Sequence, residues 1–317
     1  MATVRASAHP NIALVKYWGK QALDGNIPAV PSLSITLDSL LATTTVEEAT
    51  SDEFVLNGDA QAGASADPKL TRFLAYLRAQ HDVPPLRITS ANNFPTAAGL
   101  ASSAAGFAAL VTAVNALCEL QLGTSQLSAL ARAGSASAAR SILGGFVGLT
   151  EPDYVADEIA AKQHWDLCVV VAITDAGKKS VPSTEGMTRS AATSPYYANW
   201  VDTSASDYKR AHAAVLDKNF ADLAEVSEHS CLKMHAVMQT SQPPLMYWNS
   251  ASLACIHKIQ ELRAQGVEVF FTIDAGPQIK AVCTPDSAPS VAKILAQMPG
   301  VLNVRKIGLG GPARVQD

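Results

Sequence analysis

The sequence predicts a globular protein of two domains in which strands and helices are mixed. Its 317 residues exceed what one small core needs, and 48% of them are hydrophobic whereas only 16% are charged, so a large core can form. Short apolar or β-branched segments come between segments whose apolar residues have helical spacing. No fixed-period repeat and no low-complexity linker interrupts them.

The first half of the chain predicts strands, a helix and a loop rich in small residues. Residues 32–49 should form a strand, a turn and a second strand, because β-branched residues partly alternate there. PKLTRFLAYLRAQ, residues 68–80, has the spacing of an amphipathic helix, and LRITSANNFP, residues 86–95, predicts a short strand and a turn. The stretch FPTAAGLASSAAGFAAL, residues 94–110, therefore lies between a strand and a helix.

The second half predicts more helices around a second set of strands. TSQLSALARAG, residues 124–134, should be a helix with Thr124 or Ser125 as N-cap. The other expected elements are a buried strand at 166–174, a polar loop at 175–187, helices at 206–218, 220–238 and 247–264, a hairpin at 267–283 that turns at Gly276-Pro277, a helix at 287–298 and a strand at 301–307. The change in composition near Lys178 predicts domains at 1–178 and 179–317.

Composition excludes several classes of protein. A net charge of -4 argues against nucleic acid as the main partner. No apolar run approaches the roughly 20 residues of a membrane span, and the N-terminal residues lack the apolar core of a signal peptide, so we expect a cytoplasmic protein. The cysteines have no metal-ligand spacing, which leaves a structural zinc site without support.

The loop at residues 94–110 is the first candidate site. It matches neither the Walker nor the dinucleotide fingerprint. Its small residues would leave backbone N–H groups open at a helix N-terminus, where Ser102 and Ser103 could also contact phosphate or its Mg²⁺. Composition alone favours phosphate binding and close helix packing about equally.

NIALVKYWGK, residues 11–20, is the second candidate. Lys16, Tyr17 and Lys20 would suit a diphosphate if they converge. The alternative is a pair of solvated surface lysines.

GSASAAR, residues 134–140, is the third candidate. On extended backbone Ser135 and Ser137 would face the same way, and Arg140 offers a planar fork for a carboxylate. The alternative is a polar connection to a helix, with Arg140 as a surface arginine.

FFTIDAGP, residues 270–277, is the fourth candidate. Asp274 follows a hydrophobic strand, where a carboxylate is costly unless it is paired. It is either a general base paired with a lysine or arginine, or a turn residue that caps its own backbone.

These four stretches, in this order, resemble the diphosphomevalonate decarboxylase family of the galactokinase, homoserine kinase, mevalonate kinase and phosphomevalonate kinase (GHMP) superfamily. The resemblance spans residues 11–283. It implies an α/β (α+β two-layer) GHMP-kinase-type fold, with a ribosomal S5-like N-terminal domain that contains a left-handed βαβ unit, a ferredoxin-like C-terminal domain, and a homodimer.

The resemblance also implies an activity. ATP and Mg²⁺ would phosphorylate the 3-hydroxyl of (R)-5-diphosphomevalonate, and loss of phosphate and carbon dioxide would give isopentenyl diphosphate. The alternatives are a 5-phosphomevalonate decarboxylase, a mevalonate 3-kinase and, in a different class, a non-catalytic nucleotide-binding protein.

The matching residues carry the roles that the resemblance implies. Asp274, Lys16 and Arg140 match the catalytic trio. Tyr17, Lys20, Ser135, Ser137 and Ser183 match substrate contacts, Ala98, Gly99, Ala101, Ser102 and Ser103 match the ATP-phosphate loop, Asn92 matches the nucleoside side, and Ser103 is the candidate Mg²⁺ ligand. The chain departs from the family pattern at Val30, Pro31, Pro182 and Thr184, and an arginine sometimes stands at the last of these positions.

Overall fold

The computed structural model describes residues 2–61, 67–94, 101–177 and 179–316. Its helices are α1 Pro68–Arg78, α2 Ser102–Leu117, α3 Thr124–Gly134, α4 Ser183–Thr193, α5 Tyr197–Leu216, α6 Phe220–Gln239, α7 Ser250–Ala264 and α8 Ala288–Ala296, with a 3-10 helix at Ala136–Ile142. Its strands are β1 Thr3–Ala8, β2 Asn11–Val15, β3 Ser32–Thr36, β4 Ala42–Glu48, β5 Glu53–Leu56, β6 Asp59–Gln61, β7 Leu86–Asn92, β8 Phe146–Thr150, β9 Val155–Ala160, β10 Cys168–Ile173, β11 Val269–Thr272, β12 Ile279–Cys283, β13 Asn303–Ile307 and β14 Arg314–Gln316.

The first sheet has the strand order β14-β1-β4-β7-β5-β6. Its β5 and β7 are parallel, with α1 between them in the chain, whereas its other pairs are antiparallel. Apolar residues of α1, α2 and α3 pack on this sheet, among them Phe73 and Leu110 against Val46 and Ile88. This packing fixes the position at which α2 begins.

Two four-stranded sheets form the rest of the fold, with strand orders β2-β3-β8-β9 and β11-β12-β10-β13. One core cluster joins them, because Ile12 and Leu14 of β2 lie in the same cluster as Val171 of β10 and Phe270 of β11. The face of the β11-β12-β10-β13 sheet that points away from this cluster packs on α7 and α8. The end of β2 is thereby held beside the turn between β11 and β12.

Most of the predicted elements are confirmed. The strands at 32–49 form, although β3 and β4 enter different sheets, and the hairpin forms with Thr272 opposite Lys280. Helix α3 is capped by Gly123 rather than by Thr124 or Ser125, and α7 begins only at Ser250 after the Asn249 N-cap.

Two predictions in the second half were wrong. The loop expected at 175–187 contains the start of α4 at Ser183. Helix α5 begins at Tyr197, well before the expected residue 206. In both segments polar residues separate the few apolar ones, so the buried face is hard to recognise from the sequence. Met187 of α4 and Trp200 of α5 nevertheless pack in one buried cluster.

The predicted division at residues 178 and 179 stays a prediction. Strand β10 pairs with β12 and β13, and β14 returns to pair with β1. Among the described residues no helix is both long and apolar enough to cross a membrane.

Candidate active site

Asp274 lies in the turn between β11 and β12 with its carboxylate between two lysines. Its Oδ1 accepts a hydrogen bond from Lys16 Nζ at 2.6 Å, and its Oδ2 lies 3.1 Å from Lys280 Nζ. Burial alone would raise the pKa of the Asp274 carboxyl, but the positive charges of Lys16 and Lys280 outweigh burial and hold this pKa well below its usual range. The carboxylate is therefore ionised at neutral pH.

The position of Lys16 follows from an irregularity in β2. The register of β2 against β3 shifts between Ala13 and Val15, and such a bulge redirects the side chains that follow. The Lys16 backbone N–H donates to Ser230 Oγ at 2.9 Å, and Lys16 Nζ donates also to Ala13 O at 2.8 Å. These bonds aim the ammonium group at Asp274.

Arg140 is buried without a counter-ion. Its guanidinium donates to the hydroxyls of Ser34 at 3.0 Å and Ser32 at 2.5 Å, and to Asn11 Oδ1 at 3.2 Å. No carboxylate of the described residues lies within ion-pair distance of it, and burial lowers the pKa of Arg140 to about 10. A buried cation held only by neutral groups is a site for an anion.

Ser135 and Ser137 meet, although not in the predicted way. Ser135 has extended backbone, but Ser137 belongs to the 3-10 helix, so the extended backbone considered for both residues is found only at Ser135. Their hydroxyl oxygens nevertheless lie 3.3 Å apart. The small residues of this segment instead let the 3-10 helix pack closely on α2 and α3.

Tyr17 and Lys20 face the same cavity as Asp274. The Tyr17 hydroxyl is buried and has no hydrogen-bond partner among the described residues, and burial raises its pKa. Lys20 Nζ donates to Asn26 Oδ1 at 2.7 Å and to Thr184 Oγ1 at 3.4 Å. Burial, and then the charge of Arg72, lowers the Lys20 pKa.

Helix α2 begins at this cavity. Ala101 precedes it with left-handed backbone, φ 54°, and Ser102 and Ser103 line the cavity. The positive end of the helix dipole therefore points into it. The predicted loop residues Ala98 and Gly99 lie outside the described residues.

Helix α4 also begins at this cavity. Ser183 and Thr184 line it, and Lys179 Nζ donates to Ser183 Oγ at 2.6 Å. The helix is anchored at its far end, where Trp18 Nε1 donates to Ser190 Oγ at 2.9 Å. Val30 packs in the same cluster as Trp18.

The cavity has a volume of about 440 Å³. Its lining includes every predicted site residue that the structure describes except Asn92. Among the described lining residues, Asp274 is the single carboxylate, and the cations are Lys16, Lys20, Lys69, Arg140 and Lys179. A pocket with this charge suits a ligand with several negative groups.

A smaller cavity of about 120 Å³ adjoins the first. Lys69, Ser102 and Ser103 line both. Asn92 lies in the smaller one, and its buried Oδ1 has no hydrogen-bond partner among the described residues. Burial, with a smaller effect from Lys20, lowers the pKa of Lys69 to about 8.

Three lysines of the site were not predicted. Lys280 interrupts the apolar strand IKAVC, and a charge in a buried strand is a signal that a partner exists. Lys179 follows a strand end in a segment read only as a polar loop. Lys69 gives no signal, because a lysine in the first turn of an amphipathic helix is most often solvated.

Comparison with known proteins places the chain in a family. Residues 8–160 match the Diphosphomevalonate decarboxylase-like N-terminal domain, and residues 169–306 match the Mevalonate 5-diphosphate decarboxylase C-terminal domain. Diphosphomevalonate decarboxylase of Candida albicans is 39% identical over 300 residues, which cover 87% of this chain and 83% of that protein. The Saccharomyces cerevisiae protein of the same name is 37% identical over 87% of this chain and 76% of its own length.

Similarity to solved structures indicates the same family as the sequence comparisons. MDDEF in complex with MVAPP, AMPPCP and magnesium has a TM-score of 0.91 at 35% identity, with 99% of each chain covered. The mevalonate diphosphate decarboxylase from Staphylococcus aureus has a TM-score of 0.90 at 35% identity, with 99% of this chain and 98% of that chain covered. The chain belongs to the diphosphomevalonate decarboxylase family and has its GHMP-kinase-type α/β fold.

Proposed function

We propose that this protein is an ATP-dependent decarboxylase that converts (R)-5-diphosphomevalonate into isopentenyl diphosphate, ADP, phosphate and carbon dioxide. The observation that carries the proposal is the buried guanidinium of Arg140, which has no carboxylate partner among the described residues and lines the same cavity as Asp274. A substrate with a carboxylate at one end would supply the missing counter-ion. Relatives named for this activity support the reading.

Arg140 is the proposed contact of the substrate carboxylate. Ser32, Ser34 and Asn11 fix the plane of the guanidinium, so its orientation does not depend on the ligand. Ser135 and Ser137 line the same cavity. The carboxylate is thereby held as the group that later leaves as carbon dioxide.

Tyr17 and Lys20 are the proposed contacts of the diphosphate. The Tyr17 hydroxyl lacks a partner among the described residues, and a phosphate oxygen would accept its proton. Thr184 is too short to replace an arginine, but its hydroxyl accepts a hydrogen bond from Lys20 and so helps to hold that ammonium in place. These contacts favour a substrate with two phosphates.

Asp274 is the proposed partner of the 3-hydroxyl. Because its pKa is held low, it stays ionised at neutral pH and accepts the hydroxyl hydrogen bond, which orients the oxygen toward ATP. Phosphoryl transfer depends mainly on such positioning and on charge neutralisation. As the hydroxyl oxygen bonds to the γ-phosphorus, the bond to ADP breaks and the hydroxyl proton passes to an oxygen of the transferred phosphoryl group. The C3–O bond then breaks with loss of phosphate, and the electron pair of the breaking bond to the carboxylate carbon forms the new double bond.

ATP is proposed to lie with its phosphates at the start of α2. Ser102 and Ser103 line both cavities there, and Lys69 and Lys179 add positive charge. The buried Oδ1 of Asn92 in the smaller cavity would accept a hydrogen bond from the nucleoside. The related complex with AMPPCP and magnesium supports this assignment.

Mg²⁺ fits the site together with the nucleotide. Within the described residues no group of three His, Cys, Asp or Glu side chains is placed to hold a metal ion. Mg²⁺ at phosphate sites commonly uses few protein oxygens and completes its shell with phosphates and water. Ser103 is the hydroxyl proposed to contact it, and the ion would neutralise phosphate charge. A homodimer stays a prediction from the family resemblance, and a cytoplasmic location stays a prediction from the sequence.

Product analysis tests the proposal against its alternatives. The purified protein is incubated with ATP, Mg²⁺ and, separately, mevalonate, 5-phosphomevalonate and 5-diphosphomevalonate, and ADP, phosphate and carbon dioxide are measured. We expect turnover with the diphosphate. A preference for the monophosphate, ADP formation from mevalonate without carbon dioxide, or no reaction would point to the monophosphate decarboxylase, the 3-kinase or the non-catalytic protein, respectively.

A further inference from the structure

Lys280 is buried beside the reacting centre without reaching the cavity. It lies in β12, whose residues are all buried, and its side chain has no exposed surface. Side chains alternate along a strand, so Lys280 shares a face with Val282, which packs in the core cluster of β2. Lys280 is absent from the described residues that line the cavity, so any effect on the reaction passes through a neighbour.

That neighbour is Asp274. Lys280 Nζ lies 3.1 Å from Asp274 Oδ2, while Lys16 Nζ lies 2.6 Å from Oδ1. Each carboxylate oxygen therefore has its own ammonium group, and rotation of the carboxylate would break both ion pairs. The formal charge of the three residues is positive, so the carboxylate can accept a hydrogen bond without being driven to take a proton.

We propose that Lys280 is a second positioning residue of the reacting centre, which clamps Asp274 Oδ2 while Lys16 holds Oδ1, and so fixes the direction from which the carboxylate receives the substrate hydroxyl. This inference rests on the proposed function. It differs from a purely structural ion pair in one consequence. A purely structural pair would leave kcat unchanged in a folded variant, whereas a clamp sets the orientation of Asp274 toward the hydroxyl and therefore kcat.

The charges around Asp274 determine what happens when Lys280 is removed. Lys16, Lys280, Lys179 and Arg140 are the cations that act on it. His235 and Cys231 of α6 also face it, but burial lowers the pKa of His235 to about 3 and raises that of Cys231 to about 11, so both are neutral at pH 7. Burial favours the protonated carboxyl. Loss of the Lys280 charge must therefore raise the Asp274 pKa.

The first test is Lys280→Met, which keeps the length of the side chain and removes its charge. We expect kcat to fall about 10- to 100-fold, because a misplacement of about 1 Å at the reacting groups can cost on the order of 10²-fold, with little change in the KM for ATP. Any acid limb of the pH profile that Asp274 sets should move to higher pH. Lys306→Met is the matched control, because Lys306 is exposed on β13 of the same sheet.

The second test measures the carboxyl directly. With ¹³C-carboxyl aspartate, the Asp274 signal is assigned by its loss in Asp274→Asn, and its titration is compared between the wild type and Lys280→Met. The proposal requires a higher pKa in the variant. If Lys280→Met does not fold, Lys280→Arg keeps the charge, and its acid limb should stay at the wild-type position.

The proposal is overturned if Lys280→Met retains the wild-type kcat and pH profile, or loses only thermal stability. It is also overturned if the Asp274 titration does not move, or if the acid limb of Lys280→Arg moves up. Failure of the proposed function is a separate result. In that case the wild type itself releases no carbon dioxide from 5-diphosphomevalonate, and the titration of Asp274 still shows whether the Lys280 charge keeps it ionised.

Discussion

The ammonium group of Lys16 lies 2.6 Å from Asp274 Oδ1 although 258 positions separate the two residues in the chain. The contact joins the end of β2 to the turn between β11 and β12, so both matched segments of the chain contribute to one ion pair. A buried pair of this kind is not strong evidence for stability. Its place in a cationic cavity instead supports the role in the reaction that we propose for it.

Asp274→Asn should reduce carbon dioxide release by about 10²- to 10⁴-fold, because an amide cannot orient the hydroxyl as a carboxylate does. ATP binding, followed by calorimetry, should remain. Asp286→Asn, at an exposed position after β12, should keep full activity. A variant Asp274→Asn that turns over at close to the wild-type rate would remove Asp274 from the reaction.

Arg140→Lys should lower kcat/KM for the organic substrate by about 10- to 100-fold, the effect of losing hydrogen bonds to a charged group. Lysine keeps the charge, but it cannot reproduce the planar fork that Ser32 and Ser34 hold. The KM for ATP should change little. Arg314→Lys at an exposed position is the control. Unchanged kinetics for Arg140→Lys would show that the fork does not bind the carboxylate.

Tyr17→Phe should weaken binding of the diphosphate substrate without lowering the stability of the fold. The variant loses a hydroxyl that has no partner among the described residues, so the free energy of unfolding should stay within about 1 kcal/mol of the wild type or rise. The KM for the diphosphate substrate should increase about 10-fold, because a phosphate contact is lost. Tyr196→Phe, on the surface, serves as control. A loss of stability with an unchanged KM would argue against this role.

Lys69 should make kcat/KM for ATP decrease at alkaline pH, which is the alkaline limb of its pH profile. Its pKa is lowered to about 8, so the ammonium form dominates below that pH and is lost above it, and kcat/KM for ATP should fall as pH rises through about 8. Lys69→Arg stays charged and should remove this limb while retaining ATP binding. Lys293→Arg on α8 is the control. An alkaline limb that persists unchanged in Lys69→Arg would exclude Lys69 as its source.

The sequence identified candidates in those parts of the site that lie next to strong local signals. Asp274 stands between an apolar strand and a Gly-Pro turn, and Arg140 lies among small residues that permit close packing. Both patterns are visible within a few residues. The four motifs together also identified the family, which no single motif could do.

Parts of the site that depend on distant contacts were not predictable from the sequence. Whether Lys280 meets Asp274 depends on the register of β11 against β12. Helix α4 depends on Trp18, whose indole bonds to Ser190 across 172 positions. Lys69 becomes a site residue only because α1 packs beside the start of α2.

In the reaction we propose, phosphorylation at this site leads to loss of the substrate carboxylate. The most direct measurement follows 5-diphosphomevalonate labelled with ¹⁴C at its carboxylate, with ATP and Mg²⁺, and compares labelled carbon dioxide with ADP formed. We expect equal amounts of the two products throughout the reaction. Formation of ADP with the label still in the organic fraction would contradict it.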